Sequence, residues 1–243
     1  MRRLARGAED GYRSPLVPGL KSSEDAERLA EELAFSATRL SLMEQVAAGA
    51  AIADVPVPAA WSEIAGPGDV EVRTENAIRH VLDGPRSLNS GNRESVVAGI
   101  EAWGARQGSL ANAFTGELSW TPERRFERLF ERLGGIRGLG RDTRYELLTL
   151  LGRLCVYEIR AGKLFPGGEN EATWAAKRAL GIGDPLLLER RAAELAQACR
   201  VPIEALDLGL HNWGSGIRIT DGLPEGSGCD ETLLERARDA LGL

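Results

Sequence analysis

The stretch that decides the fold runs from Leu133 to Leu148 and reads LGGIRGLGRDTRYELL. Glycine recurs in it at positions 134, 135, 138 and 140, between two segments with helical apolar spacing. Glycine adopts backbone conformations that other residues avoid, and it lets the main chain approach a partner closely. A helix that begins after Gly140 would direct its first N–H groups outward, toward a phosphate for example. The pattern predicts a helix, a tight hairpin and a second helix that clamp a DNA backbone, and a plain glycine-rich connector is the alternative.

The residues around this stretch predict helices almost throughout. Thr121-Pro122 is a helix start, with proline at the first helical position, and Asp184-Pro185 repeats that signal for a helix to Cys199. Further helices are predicted from Ser23, near 75–82, over 94–103 and 202–213, and from Asp230, with prolines breaking the chain between 54 and 68. No segment alternates apolar and polar residues as a strand does. The predicted class is all-α.

The run from Ile136 to Thr143 resembles a known signature. It is similar to the hydrophobic-Pro-Gly-hydrophobic-Gly-x-x-Thr/Ala hairpin of the HhH-GPD superfamily of DNA glycosylases, with Arg137 in place of proline. The resemblance implies a two-lobed helical fold over 23–243, with the helix-hairpin-helix motif at about 121–160. It also implies that the hairpin binds DNA through Arg137, Gly138, Leu139, Gly140, Arg141, Thr143 and Arg144.

Two later landmarks follow in the family's order. In the family, a loop after the second hairpin helix ends in a catalytic Asp, and an Arg follows nine positions later. Glu169 stands nine residues before Arg178, so the resemblance gives it the catalytic role, although the long spacing from the hairpin leaves Glu171 as an alternative. Asp207 lies in a segment similar to the family's Asp-Leu-Gly helix, and either a catalytic or a bracing role is open for it.

Asp142 occupies the position at which family members that also cut the strand carry a nucleophilic lysine. Without an amine no Schiff base forms there, so the resemblance implies a monofunctional enzyme that uses water. Judged from the residues alone, Asp142 is a cap of the second hairpin helix.

Polar and aromatic residues near these motifs are candidates to contact a base that has left the DNA helix. The tryptophans have a buried core position as the alternative. The candidates are Asn89, Asn92, Trp174, His211, Asn212 and Trp213.

Composition predicts a cytoplasmic protein without cofactors. The chain has 243 residues, of which 43% are hydrophobic, enough for a sizeable core. Its three cysteines are scattered, so we expect neither disulfides, a metal site nor the iron–sulfur cluster of some family members. Residues 1–22 combine arginines, prolines and glycines and are predicted to form a flexible basic arm. No apolar segment suggests secretion or a membrane span, and a monomer is expected.

Charge is distributed unevenly along the chain. The net charge is −6, which opposes general affinity for nucleic acid, yet residues 121–163 hold ten basic and six acidic side chains. Between Arg124 and Arg132 the glutamates interleave with the arginines, which favours a solvated helix. Arg137, Arg141 and Arg144 flank the hairpin, and phosphate contact is favoured for them.

The substrate follows from a wider resemblance over about 25–213. This region is similar to a divergent glycosylase-like branch named for predicted alpha-glutamyl/putrescinyl thymine pyrophosphorylases, which is related to an anti-phage glycosylase. The resemblance implies excision of a bulky modified pyrimidine, such as glucosylated hydroxymethylcytosine, from double-stranded phage DNA, leaving abasic sites. An enzyme that modifies pyrophosphorylated hydroxymethyl pyrimidines, or a non-catalytic DNA-binding module, remains an alternative.

Overall fold

The computed structural model describes residues 12–50, 56–87, 92–221, 223–224 and 228–243. Within these ranges the chain forms eleven α-helices, a single 3-10 turn and no strand, which confirms the all-α class. The helices are α1 (Ser23–Ala47), α2 (Ala59–Ala65), α3 (Val70–Asp83), α4 (Arg93–Ala105), α5 (Leu110–Thr115), α6 (Pro122–Leu133), α7 (Arg141–Arg153), α8 (Glu171–Leu180), α9 (Pro185–Cys199), α10 (Ile203–Ser215) and α11 (Glu231–Leu241), and the 3-10 turn is Pro85–Ser87.

Local capping explains where the predicted helices begin. The side chain of Thr121 accepts a hydrogen bond from the N–H of Arg124 at 3.2 Å, and proline follows at the first helical position of α6. Asp184 does the same for the N–H of Leu187 at the start of α9. Each side chain satisfies a donor that the first helical turn leaves unpaired. Both start signals are therefore confirmed.

Helix α7 lies at the centre of the molecule. It packs against α1, α3 and α6. Of its residues, Arg144 is partly exposed and all the others are buried. Helix α1 packs along α10 and α11 and buries Leu29, Leu33 and Met43 completely. Because α7 is buried along nearly its whole length, most of the polar side chains that it carries must find partners inside the protein.

The break predicted between 54 and 68 is wrong in part. Helix α2 lies inside it, with Trp61 and Ile64 fully buried. Pro58 precedes the helix and Pro67 follows it, so these prolines delimit a short helix, since proline is compatible with a helix start but not with its interior.

The predicted flexible arm is wrong over residues 12–22. Val17 and Leu20 are buried in the core, and the N–H of Gly19 donates to the carbonyl of Ala179 at 3.0 Å. The hydroxyl of Tyr12 donates to the carbonyl of Leu241. These apolar contacts are too sparse in sequence to give a periodic signal. Residues 1–11 lie outside the described residues.

Across the described ranges, none of the helices combines the length and the apolar character needed to cross a membrane.

Candidate functional site

A cleft of about 750 Å³ lies where three parts of the chain meet. The start of α7 contributes residues 140–144, the loop before α8 contributes residues 165–171, and α10 with the segment after it contributes His211, Ser215, Ile217 and Ile219. Phe130 of α6 and Arg86 of the 3-10 turn complete the wall. Clefts of a few hundred to about 1,000 Å³ are typical of small-molecule sites. The end of the hairpin, at Leu139 and Gly140, and the loop of residues 164–171 that carries Glu169 and Glu171, here called the acidic loop, were predicted separately and line one cleft.

The hairpin has the form that its glycines predict. Gly138 has φ of +84°, a conformation that favours glycine, while Ile136 and Leu139 are buried and anchor the turn. Gly140 precedes α7 in extended conformation and supplies no side-chain cap. The positive end of the α7 dipole therefore faces the cleft.

The cations predicted to contact phosphate have different surroundings. Arg137 is exposed and has no ion pair within the described ranges. Arg144 is half-buried, lies over the ring of Phe130 at 4.3 Å and donates to that residue's carbonyl at 2.8 Å. Arg141 is buried between Asp142, at 3.0 Å, and Asp207. The prediction that Arg141 contacts phosphate is wrong in this conformation, because its charge is already neutralised inside the protein.

Two other predicted contact residues are also buried. Leu139 anchors the hairpin, and the hydroxyl of Thr143 donates to the carbonyl of Arg86 at 3.2 Å. The side chains of both residues therefore position α7 and the 3-10 turn, while Gly138 and Gly140 leave main chain accessible between them.

The acidic loop is fixed at both ends. The carboxylate of Glu189 accepts hydrogen bonds from the N–H groups of Leu164 and Phe165, the latter at 3.0 Å. Arg141 donates to the carbonyls of the same two residues. These bonds hold Phe165 at a positive φ of +53°, which is unfavourable for a residue with a side chain.

Asn170 fixes the other end of this loop. Its oxygen caps α8 by accepting from the N–H of Thr173 at 2.9 Å, and its Nδ2 donates to the carbonyl of Gly167 at 2.6 Å. Glu169 and Glu171 flank this cap, and both are exposed and line the cleft. Either carboxylate is therefore positioned to contact a substrate, and the choice between Glu169 and Glu171 that the sequence left open remains.

Asp207 is inaccessible. Its side chain has no exposed surface and is paired with Arg86 at 2.6 Å and with Arg141. A carboxylate without exposed surface makes no contact with a substrate, so the catalytic alternative for Asp207 is wrong in this conformation. Through Arg141 it braces the loop that carries Glu169.

Asp207 belongs to a larger set of buried charges, the central charge network, in which three guanidinium groups meet four carboxylates. The links include Arg86 with Glu146 at 3.0 Å and Arg39 with Asp221 at 2.7 Å. Burial lowers the pKa of Arg86, but its carboxylate neighbours outweigh this effect and raise the pKa overall. The members are Arg39, Arg86, Arg141, Asp142, Glu146, Asp207 and Asp221.

At the cleft this network ends in a pair formed by Asp142 and His211. Asp142 Oδ2 lies 3.4 Å from His211 Nδ1, and each side chain keeps about a tenth of its surface exposed. Burial raises the pKa of Asp142, but the nearby imidazole of His211 and the charges of Arg86 and Arg141 bring it below the usual range. Asp142 is therefore ionised at neutral pH. It lies in the first turn of α7, after Gly140 at the cap position, so its predicted capping role is wrong.

Of the residues predicted to hold the base, His211 lines the cleft. Trp213 and Asn212 are buried elsewhere, where Trp213 donates to the carbonyl of Asp25 at 3.1 Å and Asn212 donates to Glu32 at 3.0 Å. Their predicted place in the pocket is wrong, because α10 directs them against α1.

The remaining predicted pocket residues do not line this cleft either. Trp174 is exposed beside Lys177, whose ammonium lies 5.4 Å from the ring centroid. Asn92 caps α4 and lines a separate depression together with Arg137 and Gly138. Neither residue therefore lines this cleft in this conformation, and a contact of either with a base stays a prediction. Asn89 lies outside the described residues.

An aromatic wall of the cleft was missed by sequence reasoning. The rings of Phe130 and Phe165 stack at a centroid distance of 4.7 Å and an interplanar angle of 24°, and both residues line the cleft. The signal was available in part, since Phe165-Pro166 is an apolar pair in an otherwise polar loop.

No family model matches this chain, and no curated protein or solved structure is significantly similar to it. Membership of the HhH-GPD superfamily therefore stays a prediction. Within the described ranges, no cluster of three or more His, Cys, Asp or Glu side chains is arranged to hold a metal ion.

Proposed function

We propose that this protein is a monofunctional DNA glycosylase with an HhH-GPD-like fold, which excises a bulky modified pyrimidine from phage DNA by hydrolysis. The observation that carries the proposal is the shared cleft. The start of α7 after the glycine hairpin, the two acidic residues of the loop and an aromatic wall all face it. A module that only held DNA would need the hairpin but not the cleft.

Base excision requires the target nucleotide to leave the helix, because its glycosidic carbon is unreachable within the stack. The hairpin main chain and Arg137 would hold a phosphate while the base enters the cleft. The stacked rings of Phe130 and Phe165 offer an aromatic surface against a flat base, and the cleft leaves room for a large substituent.

Breaking the N-glycosidic bond builds positive charge on the deoxyribose. A carboxylate beside the sugar stabilises that transition state, and in this proposal Glu169 supplies it. The loop that carries Glu169 is fixed by Glu189, Arg141 and Asn170, so the carboxylate is positioned before the substrate arrives.

Hydrolysis without strand cleavage is supported by the lining of the cleft. No lysine lines it within the described part of the chain, and Asp142 stands at the position of the lyase nucleophile. The product would be an intact strand with an abasic site. Borohydride should trap no covalent adduct, because trapping requires an imine.

Abasic sites across a modified phage genome would stall the replication of that genome. Host DNA that lacks the modified base would remain intact.

The deciding experiment incubates the protein with unmodified, damaged and glucosylated hydroxymethylcytosine duplexes and identifies released bases by mass spectrometry. We expect release from the modified duplex and strand breaks only after alkali. Glu169→Gln should lower release by about 100-fold or more, because it removes the charge at nearly constant size. Glu235→Gln, on an exposed face of α11, is the matched control and should be fully active.

Four results would count against this assignment. Loss of activity in Glu171→Gln alone moves the catalytic role to Glu171. Chemical change of a base that stays in the strand indicates a modifying enzyme, and tight binding without any release indicates a DNA-binding module. Equal release from unmodified host DNA contradicts a defence role.

A further inference from the structure

We infer that Asp142 and His211 form an oriented pair in which His211 activates the water that attacks the deoxyribose. Asp142 is the positioning residue and His211 the catalytic one. The inference rests on the proposed function and deepens it, because it assigns the general base that Glu169, as an exposed electrostatic group, need not supply.

The geometry places one nitrogen of His211 against Asp142. Nδ1 is buried and lies 3.4 Å from Asp142 Oδ2, close enough to face the carboxylate, although the two groups are not aligned as a hydrogen bond in this conformation. His211 itself lines the cleft, as do Glu169 and Glu171. The imidazole thus joins a buried carboxylate on one side to the substrate space on the other.

The charges around Asp142 fix its protonation state and thereby the tautomer of His211. Arg141 lies 3.0 Å and Arg86 3.7 Å from Asp142 Oδ1, so the carboxylate stays ionised and accepts hydrogen bonds without donating one. Neutral His211 therefore carries its hydrogen on Nδ1 and has its lone pair on Nε2. A carboxylate that orients a histidine in this way is a recurring arrangement for general-base catalysis.

The step balances as a simple hydrolysis. Nε2 of His211 takes a proton from water, and the hydroxyl oxygen forms a bond to C1′ of the deoxyribose. The bond from C1′ to the base nitrogen breaks, and its electron pair leaves with the base. His211 then gives the captured proton to the departing base, so the products are the free base and an abasic deoxyribose.

The first test replaces His211. His211→Gln should lower base release by about 100-fold or more while DNA binding is retained. Imidazole added to His211→Ala should restore part of the activity, which a structural role would not allow. His80→Gln removes the chain's other histidine, which pairs with Asp221 away from the cleft, and should stay active. Full activity of His211→Gln alongside an active wild type overturns the inference and leaves the proposed function intact.

The second test reads the tautomer and needs no substrate. Nitrogen-15 NMR, recorded at a pH at which the imidazole of His211 is neutral, should show its hydrogen on Nδ1. The Asp142→Asn change should shift that hydrogen toward Nε2. A wild-type Nε2–H tautomer overturns the pair, whatever the activity. If wild-type protein releases no base from any duplex, the proposed function fails, and the catalytic part of this inference fails with it even where the tautomer is as expected.

Discussion

Arg141 illustrates how a residue that meets no substrate can determine the shape of the site. Its guanidinium donates to two carbonyls of the acidic loop and pairs with Asp142 and Asp207. The loop, α7 and α10 are thereby held at one point. The position of Glu169 in the cleft depends on charges that lie behind it.

Asp207→Asn tests this dependence. The change leaves Arg86 and Arg141 with one fewer buried counter-charge, and breaking a buried pair in this way costs about 3–5 kcal/mol. Urea unfolding followed by circular dichroism should show the loss. Asp239→Asn, on an exposed face of α11, is the control and should unfold like the wild type. An Asp207→Asn protein of unchanged stability would contradict the bracing role.

Arg137 differs from Arg141 because it is exposed and unpaired within the described ranges. Arg137→Gln should weaken duplex binding and reduce the slope of log affinity against log salt by about one, since one phosphate contact is lost. Arg128→Gln provides the comparison, because Arg128 is half exposed but already paired with Glu131 at 3.0 Å. Equal salt slopes for the two variants would remove Arg137 from the DNA contact.

At the scale of the elements, the hairpin depends on two glycines for different reasons. Gly138 needs its positive φ, whereas Gly140, with φ of −63° and ψ of 164°, has a backbone that any residue adopts. Gly140→Val should therefore keep the helix content and lower duplex affinity, because the added side chain separates the main chain from a phosphate.

Gly183→Val is the matched control for that experiment. Gly183 lies in the exposed connection between α8 and α9, where an added Cβ meets no atom within 4 Å. Fluorescence anisotropy with a labelled duplex should separate the two variants. If Gly140→Val binds as tightly as Gly183→Val, the hairpin is not the phosphate clamp.

The elements that the sequence predicts well are those whose signals are local. Thr121-Pro122 and Asp184-Pro185 mark helix starts by capping within three residues, and both are correct. The placement of Val17 and Leu20 depends on packing partners far along the chain, so the arm was predicted to be free. Helix α7 is buried almost throughout, so it lacks the solvent-exposed polar face by which amphipathic helices are recognised in a sequence. The hairpin before it marks where it starts.

The same distinction, between signals that are local in sequence and contacts that are not, applies to the candidate site. The acidic loop and the hairpin were found from motifs, and both line the cleft. The central charge network was missed because most of its links join residues that are far apart in sequence: 121 positions separate Arg86 from Asp207. For the same reason the sequence offered no partner for His211 and left both an accessible and a buried position open for Trp213.

At the scale of the whole molecule, the central charge network makes stability depend on acid. Burial raises the pKa of Asp221, but Arg39 and His80 outweigh it and bring the pKa below the ordinary 3.8. The pKa of Asp142 is lowered in the same way. A carboxylate whose pKa is lower when folded stabilises the fold above its unfolded pKa and loses that contribution as pH falls through the folded value.

The free energy of unfolding should therefore stay nearly constant at mildly acidic pH and fall steeply from about pH 4 downward. Urea titrations at pH 2.5 to 6 would measure it. Asp221→Asn should be less stable at pH 6 and show a shallower fall, because it has no proton to take up. A parallel pH dependence of variant and wild type would contradict the assignment.

Under the proposed function, burial of Arg141 also bears on how long the protein would remain on DNA. The charge of Arg141 is neutralised inside the protein, and Arg144 lies over the ring of Phe130. Few cations near the hairpin therefore remain to bind a DNA backbone. We expect rapid dissociation from duplexes whose bases do not fill the cleft, and a long residence time only where one does. Stopped-flow dissociation from modified and unmodified duplexes would measure the difference, and equal lifetimes would refute it. Under the proposed function, such weak binding to unmodified DNA would let the protein scan a host chromosome without obstructing it.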